Sequence, residues 1–403
     1  MSKLDEIIGY KKQVKKLRTV CDFLKDTSKY VYFGVDLPEG LLIYGESGVG
    51  KTFMAKALAI DCGREIFNIS RGDLNVKSIK KIFASARKNK NALVFIDDID
   101  YLDKEDDASV YGYIAHEIEN CNGSEVFVLV TADDKENLHE FFLNTFNSDM
   151  VIELEAPEIE EAVEIFKPIF VEDKMDKDFN IEDFCYFAQN WTYSEVEDVF
   201  NKSACLAVYE GREKISMRHV IKSGMLYKNL VLSEEFDEAT AYHEAGHAAV
   251  HMLTGGEAAF IAMLADDEGM FKVKMQKLFK DYRDRERRYF VGIAGKVSEE
   301  MFSGITSIGS DNDLDKVSRF MEDDIRELAS QGFEYYDSTK KESPAYNDEL
   351  ARKVRSDMQS YYDKTKELIE KNKPLIEALV KKLKEKYYLL HSEIYKIYNA
   401  YKG

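Results

Sequence analysis

This chain of 403 residues lacks any apolar run approaching the roughly 18–20 residues needed to span a bilayer, and its start, Met-Ser-Lys-Leu-Asp-Glu, lacks a signal-peptide core. A soluble chain with no direct membrane span is the expectation. It also lacks paired cysteines. Cys21, Cys62, Cys121, Cys185 and Cys205 are odd in number, scattered and without a Cys-x-x-Cys pair, which fits reduced, structural thiols in a cytoplasmic protein. A basic excess is missing too, since 56 Lys and Arg stand against 75 Asp and Glu, a formal charge of −19. Such a surface excludes a nucleic-acid partner, because phosphate binding needs a basic footprint. The length allows two or three domains with real cores.

Histidine is scarce, with seven in the chain, yet two of them fall in one short motif. Residues 241 to 251 read Ala-Tyr-His-Glu-Ala-Gly-His-Ala-Ala-Val-His. On a helix, His243 and His247 lie four apart on one face, so both imidazoles reach a single zinc ion. Glu244 then sits beside the metal, where a carboxylate can take a proton from water, the equipment for hydrolysing a peptide bond. The flanking Ala, Gly and Val predict a tightly packed helix. His251 lies eight residues after His243, about 12 Å up the helix at ~1.5 Å per residue, too far to share the ion; it is expected to be a packed or surface histidine.

A second motif lies near the amino terminus. Residues 41 to 52, Leu-Leu-Ile-Tyr-Gly-Glu-Ser-Gly-Val-Gly-Lys-Thr, run from a short apolar strand into Gly-x-x-x-x-Gly-Lys-Thr, with a helix following over Phe53 to Ala59. The backbone of Gly45, Glu46, Ser47, Gly48, Val49 and Gly50 can cradle phosphates of ATP. Lys51 is expected to reach the β- and γ-phosphates and Thr52 to bind Mg²⁺. Residues 92 to 98, Ala-Leu-Val-Phe-Ile-Asp-Asp, form a second buried strand ending in two carboxylates. Asp97 is placed to hold Mg²⁺ through water and Asp98 to position the attacking water. A third strand, Val126 to Thr131, leads to Asp133, where a polar residue can sense the γ-phosphate. Alternating strands and helices over 40 to 155 imply a parallel sheet with flanking helices, and 158 to 228 read as a helical lid.

With these motifs in this order, the chain resembles the FtsH family, AAA ATPases fused to a zinc metallopeptidase, colinearly from about residue 5 to near the carboxyl terminus. The amino-terminal membrane segments usual in that family are not seen here. The resemblance rests on Tyr-His-Glu-Ala-Gly-His-Ala at 242 to 248 and on Ala294-Gly295-Lys296-Val297-Ser298-Glu299-Glu300, similar to the family's Gly-Gly-Arg-x-x-Glu-Glu. It rests also on Gly309-Ser310-Asp311-Asn312-Asp313-Leu314, similar to Gly-Ala-Ser-Asn-Asp-Leu. It implies an α/β AAA P-loop domain over 1–156, a helical lid subdomain over 157–228 and a mostly α-helical zinc metallopeptidase domain over 229–403. By the same resemblance the third zinc ligand is Asp313, with Glu300 the competing candidate, and a fourth position stays open for water and substrate. The segment from about 350 to 403 is expected to be a charged helical face packed on the peptidase domain.

The ATPase half departs from the family pattern. Asp97-Asp98 stands where Asp-Glu is usual, and Asp133 where Asn is usual. The family's Arg-Pro-Gly-Arg-Phe-Asp-Arg aligns with Asn144 to Met150, and no arginine occurs between Arg87 and Arg212. An arginine finger is worth about 10³–10⁵ in rate, and Lys135 or Lys167 could replace it only in part. The central-pore segment shortens to Ser70–Ser78 and holds no aromatic residue. The expectation is a zinc endopeptidase that binds Zn²⁺ and ATP with Mg²⁺ and cleaves unfolded or loosely folded proteins. Its hydrolysis and translocation are expected to be impaired. The assembly expected from the resemblance is a homo-hexamer or a mixed ring with a related subunit. The rival readings are a fully ATP-driven processive protease and a nucleotide-dependent binding or assembly protein.

Overall fold

A computed structural model describes residues 2–35, 38–89, 91–103, 106–121, 125–265, 268–274, 282–304, 311–328 and 344–403. Gly309 and Ser310 of the third family-like segment lie outside the described residues. The chain divides into two compact units, Met1–Val171 with Asn190–Asp198, and Glu172–Gln189 with Val199–Gly403. Each is described by itself.

The first unit is built on a five-stranded parallel sheet in the order β2-β3-β4-β1-β5, formed by β1 (Gly40–Tyr44), β2 (Glu65–Ile69), β3 (Ala92–Ile96), β4 (Val126–Ala132) and β5 (Val151–Glu153). Around it run α1 (Lys11–Lys25), α2 (Thr27–Tyr32), α3 (Lys51–Asp61), α4 (Val76–Ala86), α5 (Ala108–Glu119), α6 (Glu140–Leu143) and α7 (Ile159–Phe166). The three central strands read as unbroken apolar runs because both faces are covered. Leu42, Val94, Val128 and Val130 enter the core beneath α4 and α5. Leu41, Ile43, Leu93, Phe95 and Leu129 enter the opposite core with α1 and α3. This period-2 split aligns the carboxyl ends of β3, β4 and β1 side by side, the edge where an open α/β sheet binds ligands.

The second unit contains α8 (Ile181–Phe187), most of α9 (Tyr193–Tyr209), α10 (Met217–Tyr227), α11 (Glu238–Leu253), α12 (Tyr282–Phe302), α13 (Asp311–Leu328), α14 (Pro344–Lys371), α15 (Lys373–Lys386) and α16 (His391–Lys402). It also holds an antiparallel sheet in the order β7-β6-β8, made by β6 (Ala258–Met263), β7 (Gly269–Val273) and β8 (Tyr388–Leu390). The four buried alanines Ala241, Ala245, Ala248 and Ala249 favour the helix and keep α11 thin, so that it is buried along most of its length against α12. Asp237 caps it by accepting from the Thr240 amide at 2.6 Å.

The carboxyl-terminal helices are more than a solvated face. Ile369, Leu375, Ile376, Leu379, Leu383 and Ile394 are fully buried in the same core as α11 and α12. Each such side chain contributes about 1.5–3 kcal/mol of burial, so this segment is part of what holds the zinc-motif helix in place.

Candidate metal centre and nucleotide site

The α11 register puts His243 and His247 on the face turned to α12 and α13, one turn apart, with Glu244 beside them; all three are buried. Asp313 comes from the first turn of α13. The Nε2 atoms of the two histidines are 2.9 Å apart, and Asp313 Oδ2 lies 3.1 Å from His247 Nε2 and 3.4 Å from His243 Nε2. A tetrahedral zinc with bonds of about 2.0–2.1 Å needs ligand atoms roughly 3.3–3.4 Å apart. Two sides of the triangle approach that spacing, and the donor set is the right one.

The outer atoms of the three side chains are held as well. His247 Nδ1 donates to the Val291 carbonyl at 2.6 Å, and His243 Nδ1 faces Glu299 Oε2 at 3.4 Å. With a proton on each Nδ1, both Nε2 lone pairs point at the common centre. Asp313 Oδ1 accepts from Lys316 at 3.4 Å. The residues present therefore fit a zinc ion. Burial by itself would lower the His243 pKa, but the Asp313 and Glu244 carboxylates outweigh it and hold it above the ordinary value. Burial would likewise raise Asp313, yet the two imidazoles hold it well below the carboxylate range. Burial pushes the Glu244 carboxyl upward, against the pull of the same imidazoles.

Two features of this centre were not singled out from the sequence. A Cβ on Gly295 would collide with the Nε2 atoms of both histidines, so glycine is what admits the rings. Glu299 sits one turn on along α12, and the spacing of four from Gly295 is the signal that could have paired them. Glu300, the competing third ligand, turns away to Lys296 at 2.9 Å and the Tyr362 hydroxyl at 2.5 Å. His251 is buried, with its ring against Phe271 and Gly256, and does not join the cluster. The α13 helix is anchored at its far end, where buried Asp324 accepts from Arg285 at 2.8 Å, Arg288 at 3.4 Å and the Tyr289 hydroxyl. A cavity of about 540 Å³ opens on the centre, lined by His243, Glu244, His247, Asp313 and the β7 residues Met270 and Phe271.

In the first unit, the loop Gly45–Gly50 joins β1 to α3, with Gly48 at φ 84° and Gly50 at φ 101°, conformations a side chain would strain. Lys51 is buried and donates to the carbonyls of Gly45 at 2.7 Å and Glu46 at 3.1 Å, and to Asp133 Oδ1 at 2.5 Å. The Asp97 carboxylate accepts from the hydroxyls of Thr52 at 2.9 Å and Thr131 at 2.7 Å. Asp98 stands in the left-handed region at φ 52° and meets the Arg71 guanidinium at 3.1 Å. Arg71 belongs to the Ser70–Ser78 segment, which makes a single 3₁₀ turn over Arg71–Asp73 and leads to Asn75, the cap of α4. All the residues picked out for nucleotide binding thus gather at one sheet edge. The adjoining cavity, about 500 Å³, is lined by Ile8, Tyr10, Val49, Phe53, Trp191 and Thr192, an apolar space fit for a base. Neither Trp191 nor Thr192 was singled out from the sequence.

Among the described residues no helix is long and apolar enough to cross a membrane. Residues 41–154 match the family of ATPases associated with various cellular activities (AAA), and residues 230–397 match peptidase family M41. The chain belongs to the FtsH family. An ATP-dependent zinc metalloprotease FtsH of Lachnoclostridium phytofermentans is 27% identical over 98% of this chain and 74% of its own length. Proteins of the same description from Caldicellulosiruptor bescii and Bacillus subtilis are 24% and 23% identical, over 97% and 94% of this chain and 71% and 67% of their own lengths. The FtsH-family order of modules, ATPase before peptidase, agrees with the parallel sheet and the helical second unit seen here.

Proposed function

We propose that this chain is a zinc endopeptidase cleaving unfolded or loosely folded proteins, with an AAA module that binds ATP and Mg²⁺ but hydrolyses ATP slowly. The observation that carries the peptidase reading is the convergence of His243 Nε2, His247 Nε2 and Asp313 Oδ2 beside the buried carboxylate of Glu244. Zinc held by these three atoms would polarise the substrate carbonyl and make water more acidic. Glu244 takes the proton from the attacking water on its carboxylate and returns it to the leaving amide nitrogen. Burial raises the proton affinity of Glu244, which suits both halves of that task. Glu299 and Val291 fix the imidazole tautomers, and Lys316 steadies the free oxygen of Asp313.

In the AAA module, Lys51 and Thr52 would hold the phosphates and Mg²⁺, with Asp97 beside the ion. Three features support slow turnover. The Asp98 carboxylate is one methylene short and is engaged by Arg71; no arginine occurs between Arg87 and Arg212; and the pore segment is a short polar turn. The nucleotide would then gate access to the peptidase rather than drive translocation. A three-part division at 1–156, 157–228 and 229–403, a homo-hexamer or a mixed ring with an arginine-bearing subunit, and a cytoplasmic location belong to the same proposal. Its five free cysteines suit a reducing compartment.

The test is cleavage of casein by zinc-loaded protein with ATP, with a non-hydrolysable analogue and without nucleotide. Comparable rates with ATP and the analogue support gating without translocation. Cleavage with hydrolysable ATP alone overturns the impaired motor, and no cleavage in any arm overturns the peptidase reading.

A further inference from the structure

The carboxyl ends of β3 and β4 bring four carboxylates together. Asp97 is satisfied by two hydroxyls, Asp98 faces Arg71, Asp100 accepts from the amides of Asp133 at 2.7 Å and Asp134 at 3.3 Å, and Asp133 is bonded to Lys51. Two cations, Lys51 and Arg71, stand among these four anions. The Lys51 ammonium has three N–H donors, and all three are used, by two loop carbonyls and Asp133. Asp133 reaches the ammonium from the end of β4, outside the loop. The loop's own amides wrap the β-phosphate, so this outer side is where a terminal γ-phosphate would lie.

We propose that Asp133 makes the P-loop site selective for a nucleoside diphosphate over a triphosphate. The proposal rests on the nucleotide reading given above. A diphosphate fills the loop, meets the backbone amides, takes a Lys51 donor from the loop carbonyls and leaves the Lys51–Asp133 pair in place. A triphosphate must add a doubly charged group beside Asp133 and compete with that carboxylate for the lysine. Discrimination arises from the repulsive element set against the larger ligand, while the smaller one keeps every bond to the loop. Asn at this position would keep the shape and remove the charge.

Titration calorimetry on the full chain with ADP and with the β,γ-imido analogue of ATP, both at equal Mg²⁺, reads the preference directly. Trp191, the chain's single tryptophan, lines the cavity and gives a second, optical reading of occupancy. The expected result is ADP bound at least tenfold more tightly by the unaltered protein. In Asp133→Asn and in Asp133→Ser, that ratio should shrink at least fivefold because the triphosphate analogue binds more tightly. Equal affinities in the unaltered protein, or an unchanged ratio in both variants, would overturn the proposal and leave the nucleotide reading standing. Binding of neither nucleotide would remove the nucleotide reading, and the proposal with it.

Discussion

The metal centre and the P-loop site each pack several charged groups into a small volume, but they balance them differently. At the metal centre, acceptors outside the cluster turn the two imidazole lone pairs inward beside the Asp313 carboxylate, an arrangement that suits a cation. At the P-loop the cations are already taken by carboxylates of the same chain, Lys51 by Asp133 and Arg71 by Asp98. The first arrangement is poised for a ligand. The second is partly satisfied without one, so removing a group should subtract function at the metal centre and can release it at the P-loop.

The largest expected effect tests the metal side. Glu244→Gln keeps the volume and removes the proton acceptor, so casein cleavage should fall by about 10³-fold, while zinc content measured by atomic absorption stays at that of the unaltered protein. Retained cleavage would mean that another group moves the proton, and the poised-centre half of the comparison would fail.

The next effect is on stability, and it separates the packing of α11 from its chemistry. Burial, with Arg287 adding to it, lowers the His251 pKa from 6.5 to about 4. The unfolded chain therefore binds a proton below pH 6.5 that the folded chain refuses until about pH 4. The stabilising contribution is complete above 6.5 and is lost as pH falls from 6.5 to 4, by about 3 kcal/mol in total. Urea unfolding of metal-free protein across this range should show that loss relative to His251→Gln, which has no imidazole to protonate. Parallel curves for the two proteins would show that His251 is hydrated in the folded state.

A smaller effect addresses the support around the metal ligands. Glu299→Gln leaves all three ligands intact but weakens the hold on His243 Nδ1. Zinc affinity, read by competition with a chelating dye, should fall about tenfold. No change would mean that burial alone orients the ring.

What could be read from the sequence follows the reach of each interaction. The zinc motif and the P-loop are local: His243 and His247 are four residues apart, and Gly45 to Thr52 are contiguous, so helix and loop geometry suffice. The parallel sheet is legible for a related reason, because apolar runs such as Ala92–Ile96 announce strands covered on both faces. Asp313, 66 residues from His247, came only from resemblance to a family. Glu299 and Gly295 lay within a quoted segment, but their roles depend on how α12 meets α11, which no local pattern carries. The β7-β6-β8 sheet escaped because its third strand, Tyr388–Leu390, is three residues long and sits between charged helices. The ion pairs of Asp133 and Asp98 escaped for the same reason as Asp313, since Lys51 and Arg71 reach them across 82 and 27 residues.

The smallest expected effect tests the P-loop side. The Arg71–Asp98 pair is mostly exposed on the arginine side, with the guanidinium also lying over the Tyr101 ring. Exposed pairs are worth about 0.2–1 kcal/mol, so Arg71→Ala should raise the ATPase rate by no more than about fivefold, by freeing Asp98 to orient water. Phosphate release at saturating ATP measures it. A rate that instead collapses would place Arg71 among the groups that stabilise the transferring phosphate. The P-loop site would then hold its cation in readiness, as the metal centre holds its lone pairs, and the contrast between the two sites would be one of ligand charge alone.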